Sequence, residues 1–320
     1  MLENKPRSGR PCEFTPEQIC LIIKIALEKP EDSQRPISYW TAREISQEAI
    51  KRNIVDYVSS STVSNLLRTI DIRPHKSRYW LNPKIHDEAT FRKEIKEICG
   101  IYGDVEKLKK ENTIVVSIDE KTGMQATQRI APDKPVKKGS VAKLEFEYKR
   151  HGTQCLIPSF DVLTGKILNY HIGFTRTEDV FVEHIKNTIN IYPESKWILV
   201  MDQLNTHKSE GLVRLFAEIN GYKGGLGKKR KSGILENQKT RTEFLTKKNQ
   251  KIRIQFTPKH CSWMNQIEIW FGIFHRKTLR RKSFKSIKEL VQRTGDFIEY
   301  YNNTMAKPFK WTYKGKPLIC

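Results

Sequence analysis

No run in these 320 residues is long and apolar enough to cross a bilayer, and no charged start followed by an apolar middle marks a leader. The expectation is a soluble intracellular protein. The six cysteines (Cys12, Cys20, Cys99, Cys155, Cys261 and Cys320) form no CxxC pair and keep no regular spacing. That argues against a zinc ribbon and against a disulfide framework. No glycine-rich phosphate loop of the kinase or nucleotidase kind occurs, so ATP hydrolysis has no support. Acidic residues are also in deficit: 36 Asp and Glu against 58 Lys and Arg leave a net charge of +22. A surplus of that size points to a polyanionic partner, most often nucleic acid; a generally Lys-rich proteome is the alternative. The surplus is uneven, +3 over residues 1–112 and +19 over residues 113–320.

What is present centres on Thr113–Asp119. Its six leading residues are mostly β-branched or apolar and predict a strand buried on both faces, ending on a carboxylate such a strand has no structural reason to carry. Trp197–Asp202 repeats the pattern. Chemistry in open α/β sheets sits at the carboxyl ends of strands, so Asp119 and Asp202 are candidates for a shared metal site.

From the amino terminus, Arg7 and Arg10 lie in a basic stretch that reads either as an arm for the minor groove or as an untethered end. Thr15-Pro16-Glu17-Gln18 starts a helix, Thr41-Ala42-Arg43-Glu44 a second, and Ser59 caps a third. In the third, Val63, Leu66 and Leu67 face the core, leaving Ser61, Thr62, Asn65 and Arg68 free. Three such helices fit a helix-turn-helix whose last member enters the major groove. A plain three-helix bundle is the alternative. The basic, aromatic segment His75–Pro83, with Lys76 and Arg78, reads as a linker able to touch DNA, and Glu88–Tyr102 as a connecting helix.

Beyond Asp119, residues 121–152 read as a polar, basic, lightly patterned segment too long for an ordinary turn. Strands are predicted over 153–162 and 166–173, helices over 177–191 and 209–219, and a strand over 253–258. Residues 220–251 read as an exposed basic insertion rather than a core element, either a DNA-contacting loop or a tolerated surface addition. Ser262 is expected to cap a helix carrying Trp263, Ile267, Trp270 and Phe274 toward the sheet, with Glu268 at the border of that face. Three carboxylates from two strands and a helix suffice to hold Mg²⁺, an oxygen-seeking ion that keeps several waters. Two such ions can drive in-line displacement at phosphorus. His207 and His260 are candidate auxiliaries; a lone histidine is more often a satisfied structural group.

These residues carry a resemblance. Val116-Ser117-Ile118-Asp119-Glu120-Lys121-Thr122, Tyr148–Thr153, Met201-Asp202-Gln203-Leu204-Asn205-Thr206-His207-Lys208 and Phe256–Phe271 resemble the DDE transposases of the mariner superfamily, specifically the bacterial insertion-sequence 630 family. The resemblance runs from about Gly9 to Lys316. It implies an α/β fold: a ribonuclease-H-like catalytic core over 113–320, a connector over 83–112 and an all-α helix-turn-helix DNA-binding domain over 1–82. It further implies Asp119, Asp202 and Glu268 as a triad binding two Mg²⁺ or Mn²⁺ ions, action on double-stranded DNA at terminal inverted repeats, joining to a TA target, and a homodimer on DNA. In that dimer the segment within 121–152 would reach the other subunit. The place implied is the bacterial cytoplasm, on the nucleoid. Two departures stand out: Asp202 and Glu268 are 66 residues apart, the basic insertion supplying the excess, and Gln203 stands where the family carries Asn. A DNA-binding derivative without catalysis, acting as a repressor, and a nuclease without strand transfer are the alternative functions.

Overall fold

The computed structural model describes residues 14–77 and 87–315; Arg7, Arg10 and Arg78 lie outside them. The chain divides into two compact units, Met1–Asn82 and Pro83–Cys320.

Three helices build the first unit: α1 (Pro16–Leu27), α2 (Ala42–Lys51) and α3 (Ser60–Thr69). Thr15 with Gln18, and Thr41 with Glu44, form the two capping boxes read from the sequence, and Ser59 caps α3. Each cap satisfies amide donors that a helix start otherwise leaves open. Ile22, Ile25, Trp40, Ile45, Ala49 and Val63 close the core. Glu48 is buried beside it, held by Arg35 at 2.9 Å and Arg52 at 3.0 Å, so its charge is compensated twice.

The second unit opens with α4 (Glu88–Gly103) and α5 (Val105–Lys110). It continues through β1 (Thr113–Ile118), β2 (Lys121–Arg129), β3 (Tyr148–Asp161), β4 (Ile167–Gly173), α6 (Glu178–Ile189), β5 (Lys196–Met201), α7 (Glu210–Ile219), α8 (Gln238–Leu245), β6 (Ile252–Phe256), α9 (Ile267–Phe274) and α10 (Ile287–Thr304). The sheet runs β2-β3-β1-β5-β6, with β4 on β3. β1, β5 and β6 are parallel, while β3 is antiparallel to β1, β2 and β4. Alternation along the strands makes two cores. Val115, Ile198 and Val200 pack with α4, α9 and α10; Ile114, Val116, Leu199 and Met201 pack with α6, α7 and α8.

The structure corrects three expectations. Residues 121–152, read as lightly patterned, hold two strands: β2 and the start of β3 pair along them, keeping across Asp119-Glu120 the register that sets Ile118 opposite Ser159 and Lys121 opposite Leu156. Their hydrophobic signal is weak because much of this ribbon is exposed, and the ladder of backbone hydrogen bonds carries it. Residues 220–251 are not wholly peripheral, since Leu235, Phe244 and Leu245 are buried in the core beneath α7 and β6. Ser262 caps nothing. Ser262–Met264 form a short 3₁₀ turn, the chain extends at Asn265, and α9 starts only at Ile267. That break turns Trp263 outward, edge-on to Tyr313, and gives its expected buried place to Met264.

Candidate active site

The pairing of β1 with β5 brings the first two acids together. Ser117 lies opposite Val200, so two residues further on Asp119 and Asp202 leave adjacent parallel strands at the same level. Asp119 is buried, and its carboxylate accepts from the Glu120 amide at 2.8 Å and the Asn265 side-chain amide at 3.3 Å. Burial first, and the charge of Asp202 second, push its pKa up to about 7. Glu120 and Glu268 add smaller contributions in the same direction.

The third acid is brought in by α9. Asn265 donates to the Ile118 carbonyl at 2.9 Å and accepts from the Ser117 hydroxyl, which in turn accepts from the Ile267 amide at 2.9 Å. The first turn of α9 is thereby tied to the last residues of β1. Glu268, one residue on, is solvent-exposed yet raised in pKa, by partial burial and by Asp202, with Lys121 opposing. Lys121 also lies 5.5 Å from the Phe271 ring centroid.

His207 joins the site from beneath. It is fully buried against Phe181, and its Nδ1 stands 2.8 Å from the Asp202 carboxylate while Nε2 stands 3.3 Å from that of Glu120. Burial alone would lower its pKa; the contact with Asp202 and the charges of Asp202 and Glu120 outweigh burial and hold it well above the ordinary histidine value. The imidazolium draws Asp202 below the usual carboxylate range despite its own partial burial. The second oxygen of Glu120 is buried without a hydrogen-bond partner.

Of the residues singled out from sequence, Asp202 and His207 are in contact, Asp119 leaves the neighbouring strand at the level of Asp202, and Glu268 is near enough for its charge to act on Asp119, whereas His260 sits in an exposed turn with φ 64°. Ser61, Asn65, Arg68 and Lys76 are exposed on the first unit, but the hydroxyl and amide of Thr62 are engaged by Ser59. Sequence reasoning missed Ser117, Glu120 and Asn265. Polar residues inside otherwise apolar segments, directly beside the suspected acids, were the available signal.

The carboxylates of the site are hard oxygen donors, with too little positive charge beside Asp119 to keep it ionised in the ordinary acidic range. Such a donor set fits a hard divalent cation. Among the described residues no group of three His, Cys, Asp or Glu stands close enough to enclose an ion. Oxygens of Asp119 and Asp202 are instead occupied by Glu120, Asn265 and His207.

Residues 114–291, more than half of the chain, match the family model described as DDE superfamily endonuclease, and residues 1–67 match that of a homeodomain-like domain. No curated protein matches. Among solved structures, the Mos1 mariner paired end complex with Mn is 13% identical with a TM-score of 0.53, covering 93% of this chain and 75% of that one. A pre-cleavage Mos1 transpososome is 12% identical at TM-score 0.52, with 93% and 75% covered. The Mos1 strand transfer complex is 10% identical at TM-score 0.50, with 93% and 74% covered. At such identity the likeness is one of fold: a ribonuclease-H-like α/β core preceded by a helix-turn-helix region.

Proposed function

The chain belongs to the DDE superfamily of endonucleases, and from that premise we propose that it is a DNA transposase of the mariner superfamily, in the bacterial insertion-sequence 630 family. It binds terminal inverted repeats through its first unit, cuts at them, and joins the freed 3′ hydroxyl to a TA target. The observation carrying this reading is the pairing of β1 with β5, which sets Asp119 and Asp202 at the same level on adjacent parallel strands, with Glu268 near enough for its charge to act on Asp119.

Asp119, Asp202 and Glu268 would hold two Mg²⁺ or Mn²⁺ ions, which when bound activate the attacking oxygen and steady the leaving one. The Mos1 paired end complex named above was solved with Mn. This chain's residues set the stage. Asn265 fixes the orientation of Asp119, the His207 imidazolium keeps Asp202 ionised and aimed, and Lys121 faces Glu268. On α3, the exposed Ser61, Asn65 and Arg68 are the candidates for base edges, with Thr62 structural. A homodimer on DNA is favoured by the ribbon leading into β3, where Val136, Val141 and Phe146 are widely exposed, Phe146 at 91%.

The experiment is Mg²⁺-dependent cleavage and joining of duplexes ending in the element's own repeats. The wild type should cut and join; Asp119→Asn, Asp202→Asn and Glu268→Gln should each cut at least 100-fold more slowly. Retained cleavage in all three variants places the chemistry elsewhere, and cutting without joining makes the protein a nuclease.

A further inference from the structure

The insertion between Asp202 and Glu268 has no part in the mechanism above. It holds ten basic residues and two acidic ones between 220 and 251, and it is not a loose strap. Leu235, Phe244 and Leu245 are buried in the core, and the Lys228–Ser232 bridge closes a hairpin. Gly227, at φ 81°, stands at the base of the hairpin, where the two arms approach so closely that a Cβ would lie 2.0 Å from the Ser232 carbonyl oxygen.

Its anchors fix where the charges sit. Gln238, at the start of α8, donates to the Asn205 side chain at 2.8 Å, and Lys229 reaches Glu210, the first residue of α7, at 3.7 Å. Asn205–Glu210 is the stretch that follows Asp202 and carries His207. The hairpin therefore lies at the carboxyl ends of the parallel strands, the same end as the acids. Lys228, Lys229, Arg230 and Lys231 are all exposed there, and among the described residues Lys229 alone of the four meets an acid.

Four exposed cations on one anchored hairpin, three of them meeting no acid among the described residues, set at the strand end that carries the carboxylates, need a different explanation from solubility. We propose that the hairpin Gly227–Gly233 is a second DNA-binding surface, taking the phosphate backbone of duplex DNA beside the acid cluster without preference for sequence. The inference rests on the transposase reading for its choice of DNA, and it adds a contact distinct from the helix-turn-helix. Four cations on one short hairpin can neutralise several phosphates of one duplex, each releasing condensed counterions. A contact of this kind would hold flanking or target DNA at the site while the first unit reads the ends.

The test uses the full chain in EDTA, so that it reports binding whether or not the protein cleaves. Affinity for a duplex of arbitrary sequence is measured against salt concentration for the wild type and for the variant Lys228→Gln, Lys229→Gln, Arg230→Gln, Lys231→Gln. Each phosphate contact contributes about 0.9 to the slope of log affinity against log salt, so the variant should lose roughly 2–3 from that slope. Acetylation of Lys228, Lys229 and Lys231, followed by mass spectrometry, should slow when the duplex is added. An unchanged slope or undiminished acetylation overturns the proposal. Protection by duplex RNA or by anionic phospholipid vesicles in place of DNA gives the surface another partner and overturns it too. Should the Asp119, Asp202 and Glu268 variants cleave like wild type while the slope still falls, the catalytic reading fails and the binding surface stands.

Discussion

A carboxyl group that keeps its proton up to about pH 7 is a cost to a fold at neutral pH, and Asp119 is such a group. Its ordinary value is 3.8. Between about 4 and 7 the folded chain therefore binds a proton that the unfolded chain has released, and the stability associated with Asp119 is present at low pH and is lost as pH rises through 7. Asp119→Asn removes the effect. In EDTA, where no cation relieves the crowding, the melting temperature of Asp119→Asn should exceed that of the wild type by an amount that grows from pH 4 to pH 7, corresponding to roughly 2–4 kcal/mol at the upper end. Thermal melts of both proteins across that range check it; a constant difference would mean Asp119 ionises normally. At this scale the sequence was informative wherever an acid broke an apolar strand, as at Asp119 and Asp202. It offered His207 only as a candidate auxiliary, because its surroundings depend on Glu120 and Asp202 arriving on either side of its ring.

Among the elements, periodicity identified what is buried on one face or both: α1 to α4, β1, β5, β6, α6 and α7 stand close to where apolar spacing and caps placed them. It failed where packing was not the cause. β2 is held by its ladder to β3 rather than by a buried face, and the break at Asn265 comes from hydrogen bonds to Ser117 and Ile118 that no local pattern reports. α8 was hidden by its neighbours, since its charged and polar surroundings outweighed the short buried pair Phe244-Leu245. That pair gives a direct check. Phe244→Ala should cost about 3–5 kcal/mol of unfolding free energy, read as a lowered urea midpoint. A loss below about 0.5 kcal/mol, usual for an exposed loop, would return the insertion to the surface.

For the molecule as a whole, the described residues include no helix long and apolar enough to cross a membrane. The charge surplus sits chiefly in the part of the chain that carries the acids, +19 over residues 113–320. Repulsion among so many cations opposes self-association, so a dimer needs an apolar contact, a bound polyanion, or both. In the proposed dimer, the exposed Val136, Val141 and Phe146 would supply the first. Val141→Asp with Phe146→Asp should leave DNA binding by single chains intact and abolish two-chain assemblies on end-bearing duplexes, as read by analytical ultracentrifugation. Undiminished assembly would locate the dimer contact on another face.

Four consecutive residues, Ser117 to Glu120, act as the datum from which all three acids take their bearings. Asp119 is among them, Glu268 is sited by Ser117 and Ile118 through Asn265, and Asp202 by Glu120 through His207. Sway in the outlying helices is thus kept out of the spacing between the acids, and only a displacement of β1 itself would upset all three at once.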